Sequence, residues 1–598
     1  MTVSGKYQCS AAVLGVALVV VAALYSCGSK DGISSDLGGA GNDVVGELSS
    51  DVGGGSDGVV PDVDEAETVS RNDVSPLDDS IGDVPMLADV VLDEVDDLVL
   101  EVDLQDGEVT PPDNGFSPGP YGFAPFDTAG PFKVPTLDGQ VDLQWIWSGG
   151  EDSYVFMFYH PDYEYATGLW GSSPKDLLKA SPTNVHYFFL SYTNTPMADV
   201  EALKVRFDEA ISELGMEALW EGRLHFVTVM PVTLVNWLGD FVKSKGYFAF
   251  AIDRFQRIRE VGLLANVVGS GVAEMKYLAQ EAIYFNFEWE REQKLASVQS
   301  VKVVSLFEGQ ELANDGFVDV VLPSAEEMEQ YDTLEFDLTL GCKEKSDDNC
   351  GEWDYLANLY LCSKEEPDKC DVEIGRWITA YHRGGRWVTD ASAMLALLKD
   401  GGTRRFRLNV SWQTYVTSLS FRLSNAGKGA RPVAWHPLWS GGAFDLTYNP
   451  SKEPKSIVIP ATAKRVELYA LITGHGFGAD TANCAEFCNH THHFFVNEVE
   501  YEKTHPMAGV GVGCQVMVKE GVVPNQFGTW PFGRSGWCPG WDVKPFVADV
   551  TAAVKKGQDN LLTYKALYFG KDYDPKVVEG GDGFAARLDV TTYLVVWE

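Results

Sequence analysis

The stretch NCAEFCNHTHHFF (483–495) sets Glu486 between Cys484 and Cys488 and follows it with His490, His492 and His493. Two chemistries compete for these residues. A disulfide between Cys484 and Cys488 would close a loop too short to gain much from chain entropy. Its use would be positional, fixing the backbone on both sides of Glu486 as a preorganised catalytic carboxylate requires. The alternative is a structural loop with an exposed glutamate. On a strand, His490 and His492 project to one face and His493 to the other, so the HxH pair could hold a metal with His475 of TGHGFG as third ligand. HxH without other spaced ligands is a weak metal signal. The reading adopted is that these are hydrogen-bonded strand histidines bracing the loop, with no metal and no cofactor.

A second carboxylate stands in NCGEWDYLANLYLC (349–362). A strand over 353–361 places Asp354, Leu356, Asn358 and Tyr360 on one face and Tyr355, Ala357, Leu359 and Leu361 on the apolar other. Asp354 then points away from the core at the strand's start. Such a position suits a solvated aspartate or a catalytic one.

The elements that must carry these residues lie in the second half of the chain. Ten cysteines occur. Cys9 and Cys27 lie near the amino terminus. The other eight group as Cys342 with Cys350, Cys362 with Cys370, Cys484 with Cys488, and Cys514 with Cys538. No CxxC pair occurs, so local disulfides in an oxidising compartment are expected rather than zinc. From about residue 298, short alternating runs such as LEFDLTL, FRLNVSW and SLSFRL are separated by turn residues. Many short strands without long helices predict β-sandwich or jelly-roll domains, one over 298–428 and one over 429–598, divided near SNAGKGARP (424–432).

Residues 140–275 read differently. The runs YVFMFY (154–159), VHYFFLSY (185–192), RLHFVTVM (223–230) and YFAFAI (247–252) alternate with helical patterns over 197–214 and 234–244. That order predicts an α/β layer around a largely parallel sheet, and FAIDRFQRIREVG is loosely similar to the closing strands of a thioredoxin-like domain. It contains no cysteine, which excludes thiol–disulfide chemistry, and a binding or spacing role is expected.

At 598 residues and a net charge of −41, the chain is long enough for several cores and too acidic for nucleic acid or anionic membrane surfaces to be partners. Roughly half of the charge lies between Asp31 and Asp113, where Arg71 is the one basic residue. Residues 28–135 are expected to be a disordered acidic linker, extended by repulsion into a stalk. Residues 1–27 read as an export signal, with Lys6 before the apolar run AAVLGVALVVVAALY (11–25). LYSC (24–27) has the form of a bacterial lipoprotein processing site, so lipid on Cys27 would anchor the protein in the cell envelope without a spanning helix.

The segment CGEWDYLANLYLC…EIGRWITAYHRGGRWV (350–388) resembles the first domain of the peptide-N-glycosidase F family. GHG…NCAEFCNHTHHFFVN (474–497) and GC…GRSGWCPGW (513–541) are similar to its second. The resemblance runs from about residue 300 to 598. It matches three disulfide pairs, Cys342 with Cys350, Cys484 with Cys488, and Cys514 with Cys538. It implies two jelly rolls packed side by side. The implied activity is hydrolysis of the amide joining asparagine to the first N-acetylglucosamine of an N-glycan, on glycoprotein or glycopeptide partners, by a monomer. By the same resemblance Asp354 is the principal catalytic carboxylate and Glu486 a second in the same cleft. Arg534, Trp537 and His475 match cleft positions, and Trp353 and Trp412 are further aromatic candidates for substrate contact. The pattern departs from the family at Tyr355, where arginine is expected, and at Phe487 and Thr473, where tryptophans are. No carboxylate stands beside Trp412, where the family has a third.

Two other readings follow from the same residues. A surface glycan-binding protein would keep the cleft without turnover. A type II copper monooxygenase would use the HxH pair but needs several histidines in the first sandwich, where 298–425 contains only His382.

Overall fold

The computed structural model describes residues 112–266, 271–581 and 583–598. The expected export signal, Cys27 and the acidic run to residue 111 lie outside the described residues. The carboxy-terminal end of the expected linker is ordered, because its apolar side chains have a surface to cover. Ala129, Phe132 and Val134 are buried against the α/β layer, with Phe116 and Phe123 packed beside them. A hairpin of Lys133–Thr136 and Gly139–Asp142 follows.

The α/β layer is a five-stranded sheet in the order Leu224–Phe226, Val185–Ser191, Ser153–Tyr159, Ala249–Ile252, Ile258–Arg259. Its first three strands are parallel and the last two antiparallel, so the sheet is mixed rather than largely parallel. The strands read as unbroken apolar runs because both faces are covered. Val155 and Met157 enter one core, while Tyr154, Phe156 and Phe158 enter the other. The helix Pro196–Leu214 buries Val200, Leu203, Phe207 and Ala210, the spacing of one helical face, and ends at Gly215 in the left-handed conformation. A second long helix, Leu278–Ser297, occupies the stretch between the α/β layer and the first sandwich, where no element was expected.

Two β-sheet sandwiches follow. The first packs the sheet of Gly385–Asp390, Thr333–Gly341, Tyr415–Ser424 and Lys302–Leu312 on that of Trp541–Asp542, Val372–Ile378, Leu356–Leu361, Gly401–Asn409 and Asp315–Ser324. Tyr415–Ser424 alternates buried with half-buried positions along most of its length, as a strand with one face on the core must. The second sandwich joins Pro432–Ala443, Phe584–Trp597, Arg465–Phe477 and Phe546–Asp549 to Lys455–Val458, Asp559–Tyr568, His490–Val496 and Val499–Lys503.

All eight cysteines of the described residues are paired as their spacing predicts. Cys342 bonds Cys350, Cys362 bonds Cys370, Cys484 bonds Cys488, and Cys514 bonds Cys538. None is left as a free thiol, so no thiolate is available there as a nucleophile or metal ligand.

Buried ions bind these parts to one another. Between the sandwiches, Arg376 holds Glu373 through Nε and Nη2, both at 2.7 Å, and its Nη1 reaches Thr473 Oγ1 at 2.8 Å and the Asp589 carbonyl at 2.6 Å. Trp541–Asp542, from the second half of the chain, pairs as an edge strand with Trp377–Ile378 of the first sandwich. Between the α/β layer and the sandwiches, Arg259 meets Asp347 at 3.0 Å and Glu288 at 2.5 Å. Arg383 meets Glu281 at 2.5 Å and donates to the Pro524 carbonyl at 2.8 Å, while Asn525 Nδ2 donates to Glu281 at 2.8 Å. Glu281 and Arg383 are almost wholly shielded from solvent, so each charge depends on the other. Among the described residues no helix is long and apolar enough to cross a membrane.

A chain beginning at residue 298 lacks Arg259 and Glu281, so Arg383 and Asp347 lose ion-pair partners and the packing that covers them. We expect it to unfold at markedly lower temperature than the full chain, and Glu281→Ala alone to cost on the order of 3 kcal/mol. Thermal and urea unfolding followed by tryptophan fluorescence would measure both; equal stability would mean that the α/β layer is an independent appendage.

Candidate functional site

Asp354 sits just before the strand Leu356–Leu361, and its two neighbours are pinned by one side chain. Thr379 Oγ1 donates to the Trp353 carbonyl at 2.6 Å and accepts from the Tyr355 N–H at 2.8 Å. The Thr379 N–H donates to the Tyr355 carbonyl at 2.9 Å. Upstream, the Cys342–Cys350 disulfide and a pair of backbone bonds between 350–351 and His382 fix the approach. Gly351 packs closely here: a Cβ would lie 2.4 Å from Gln413 Oε1 and 2.6 Å from the Tyr415 hydroxyl, so a larger residue would push both side chains aside.

Glu486 lies on the turn between Arg465–Phe477 and His490–Val496, closed by Cys484–Cys488. Its N–H donates to the Gly476 carbonyl at 3.2 Å and its carbonyl accepts from Ser535 N–H at 2.9 Å. Ser535 Oγ also donates to the Cys488 carbonyl at 2.6 Å. The backbone of Glu486 is therefore held from both sides, which is the service expected of the short disulfide loop.

The remaining two disulfides differ in their bearing on the site. Cys514 and Cys538 are wholly buried, and their bond closes the loop from which Arg534 and Trp537 project. Cys538 thus anchors the chain directly after Trp537. Cys362 and Cys370 clip a loop that begins at the far end of Leu356–Leu361 from Asp354. Cys370 therefore belongs to a local staple and not to the site.

Arg534 brings the two carboxylates together. Its Nε donates to Glu486 Oε1 at 3.2 Å and its Nη2 to Asp354 Oδ2 at 3.3 Å. The guanidinium also donates to the carbonyls of Thr529 and Phe532, to Thr529 Oγ1 and to the Tyr381 hydroxyl. With every N–H so committed and the side chain 1% exposed, it has no donor left for a ligand. Trp537, 3% exposed, lies against the same guanidinium, 4.9 Å from ring to cation, and donates Nε1 to the Gly474 carbonyl at 2.7 Å. The expectation that Arg534 and Trp537 meet sugar is thereby corrected: both lie beneath the cleft and support the carboxylates.

The electrostatics follow from that burial. Loss of solvent pushes the Glu486 carboxyl up to about 7, with Arg534 opposing the shift and Asp354 adding to it. Burial likewise raises Asp354, against the pull of Arg534 and a hydrogen bond from Tyr381. Burial would lower Arg534, but Tyr381, Asp354 and Glu486 around it prevail and keep it raised. Two carboxyls sharing one cation titrate as a coupled pair, so at neutral pH the site can hold one proton between them.

Other candidates divide between the site's rim and its interior. Trp412 is 59% exposed and packs edge-on against the exposed Tyr355. It helps line a cavity of about 430 Å³ with Asn349, Gly351, Glu352 and Gln413, on the same strip of chain that leads into Asp354. Trp353 is half-buried against Tyr381. His475 packs on Trp537 and hydrogen-bonds Thr473 Oγ1 at 2.9 Å; burial lowers it to about 4, Asp589 opposing, so it is neutral. Thr473, at a position where a tryptophan is expected, thus serves Arg376 and His475 with one hydroxyl.

Two functional residues escaped the sequence reading. Tyr381 and Thr379 lie in ITAYHRGG, inside a motif already singled out, but nothing in their spacing marks them as facing Asp354. Of the bracing role expected of the histidines, His490 keeps only an approach to the Ala485 carbonyl of the loop, short of a well-formed hydrogen bond. His475 is also too occupied elsewhere to be the third member of that cluster.

Residues 445–595 match the family model described as peptide-N-glycosidase F, C terminal. The chain is 27% identical over 240 residues to peptide-N(4)-(N-acetyl-beta-D-glucosaminyl)asparagine amidase F of Elizabethkingia miricola, covering 36% of this chain and 63% of that protein. The match therefore spans less than two thirds of that relative's length. Among solved structures, a peptide-N(4)-(N-acetyl-beta-D-glucosaminyl) asparagine amidase overlays with a TM-score of 0.40 at 19% identity, covering 50% of this chain and 96% of that one. PNGase F, a glycosylasparaginase from Flavobacterium meningosepticum, gives 0.39 at the same identity and coverage. The carboxy-terminal β-sheet part of the chain is thus similar to the peptide-N-glycosidase F family, most directly over residues 445–595.

Proposed function

We propose that this protein is an amidohydrolase that cleaves the amide between asparagine and the first N-acetylglucosamine of N-glycans. The observation that carries the reading is the pairing of Asp354 and Glu486, one from each sandwich, on the buried Arg534. An amide is a poor electrophile, so water needs a base and the leaving nitrogen needs a proton. In the proposed reaction Asp354 takes a proton from water as its oxygen attacks the side-chain carbonyl carbon. Glu486, protonated through its raised affinity, gives its proton to the amide nitrogen as the C–N bond breaks. The peptide keeps an aspartate and the sugar leaves as a glycosylamine. Arg534 positions both groups and favours the anionic form of Asp354.

The exposed pair Tyr355 and Trp412 at the rim offers apolar faces for sugar rings. The α/β sheet order, with its antiparallel last pair, supports the thioredoxin-like reading, and the two sandwiches are read as jelly rolls. The acidic run and Cys27 are read as a stalk and lipid anchor that present a monomeric enzyme to glycoproteins outside the cell membrane.

Incubation of the full chain with a defined N-glycopeptide, followed by mass spectrometry, tests the reading. We expect glycan release with asparagine converted to aspartate, and loss of at least about 1,000-fold in rate for Asp354→Asn. A sugar left on asparagine would make it a glycosidase, and retention without cleavage would make it a glycan-binding module.

The pH profile carries a second expectation. Because Glu486 must be protonated, kcat/KM should fall as pH rises through about 7. Because Asp354 must be ionised, it should fall again on the acid side, at a pH above the ordinary aspartate range. A flat profile across neutrality would remove Glu486 as the acid.

Arg534→Met should lower kcat by about 100-fold or more while leaving KM within a few-fold, since no donor of Arg534 reaches substrate. A pure KM effect would return Arg534 to the role of a sugar contact.

A further inference from the structure

Behind the Glu486 turn, three imidazoles meet in the interior of the second sandwich. His490 and His492 project from the buried face of the strand His490–Val496, and His505 enters from the loop beyond Val499–Lys503. His490 and His492 are fully buried and His505 is 4% exposed. One nitrogen from each ring lies within 4.8 Å of the others. The ring centroids are 4.9 Å apart for His490–His492, 4.7 Å for His490–His505 and 5.3 Å for His492–His505.

Their nitrogens are not spent on hydrogen bonds. Both of His490 and the Nε2 of His492 and of His505 have no partner. His490 leans toward the Ala485 carbonyl without completing a bond to it. A buried unsatisfied polar atom costs roughly 1–3 kcal/mol, and here several converge on one point where apolar side chains would have packed without that penalty. His492 also has the support that metal-bound histidines use. The Tyr564 hydroxyl lies 2.7 Å from its Nδ1 and 3.0 Å from the Tyr448 hydroxyl, which leaves Nε2 directed to the cluster. The His505 N–H donates to Asn489 Oδ1 at 2.8 Å, tying that loop to the residue before His490.

We propose that His490, His492 and His505 form a site for one divalent transition-metal ion of the zinc and copper class. Neutral imidazoles without a carboxylate suit zinc or copper rather than calcium or magnesium. Bonds of about 2.0–2.1 Å to a tetrahedral ion place nitrogens about 3.3 Å apart, so modest ring rotations bring the three into range. The ion would join the strand that follows Cys488 to the loop at 505, and so stiffen the support of the turn carrying Glu486. This is a structural site, separate from the carboxylate pair, and it stands whether or not the chain is an amidase.

The test uses the full chain, stripped with a chelator, dialysed, and reloaded with Zn²⁺ or, in a second arm, Cu²⁺. Metal content and thermal unfolding are read for wild type, His505→Gln, His492→Gln and His493→Gln. His493 faces the other way and bonds Thr491 and Glu500, so it is the control. We expect one ion per chain and a melting temperature raised by about 5 °C in wild type and His493→Gln. Affinity should fall at least about tenfold, with no thermal gain, in the other two. Absence of bound ion in folded wild type with either metal would overturn the proposal. So would equal binding by His505→Gln, which would assign the ion to the acidic run or another surface. Should His505→Gln fail the near-ultraviolet dichroism check of its fold, X-ray absorption of the zinc-loaded wild type decides: an imidazole nitrogen shell supports the site and an oxygen-only shell sinks it.

Discussion

A guanidinium that has left water must find acceptors, and Arg534 finds them on both sandwiches. Asp354 lies 180 residues away in sequence and Glu486 48 residues away. Its hydrogen bonds are completed only when both sandwiches are in place, Glu486 on Nε and Asp354 on Nη2, so seating the arginine and docking the two sheet domains are linked. The other interdomain ties follow the same logic. Glu373 and Arg376 are buried together at the interface, and Thr473, Thr591 and Tyr593 of the second sandwich complete their hydrogen bonds. The paired carboxyls Asp354 and Glu486 take their raised proton affinities from this enclosure.

The short segment from Thr379 to Arg383 joins these levels. Thr379 staples the backbone around Asp354, the Tyr381 hydroxyl meets Arg534, and Arg383 reaches back to Glu281 of the long helix. The long helix thus holds the rear of the segment whose front lines the carboxylates. Gln526 adds a further strut, accepting from the Tyr381 N–H at 2.9 Å and donating to the carbonyls of Val523 and Pro539.

Much of this was legible in the residues. Locally spaced cysteines announce their pairs, the apolar runs of the α/β layer mark strands covered on both faces, and Asp354 and Glu486 stand out through their flanking cysteines and family motifs. Spacing did not separate the disulfides that serve the site from the one at Cys362 and Cys370 that does not, because that depends on which end of a strand each loop closes. The long helix Leu278–Ser297 was hidden because its buried face includes Gln280, Glu281 and Glu288, which read as solvent-facing until their arginine partners are known. Trp541–Asp542 is too short a strand to carry any alternation. Arg534 and Trp537 were given cleft roles by the family resemblance, which does not tell a side chain that meets substrate from one satisfied inside, as each is here. His505 could not be joined to the HxH pair by spacing, since its approach depends on a loop.

The pairing of Trp541–Asp542 with Trp377–Ile378 also sets an order of birth. During synthesis the first sandwich emerges complete except for this edge strand, which follows about 120 residues after Ser424. Until then the Val372–Ile378 strand presents free backbone donors and acceptors along that edge, and the buried faces of Arg376 and Glu373 stand open. Such an edge is a template for pairing with a neighbouring chain, so the nascent protein is most exposed to misassembly in that interval. The same two residues that close the sheet in the finished molecule therefore mark the moment at which its exposure during biogenesis ends.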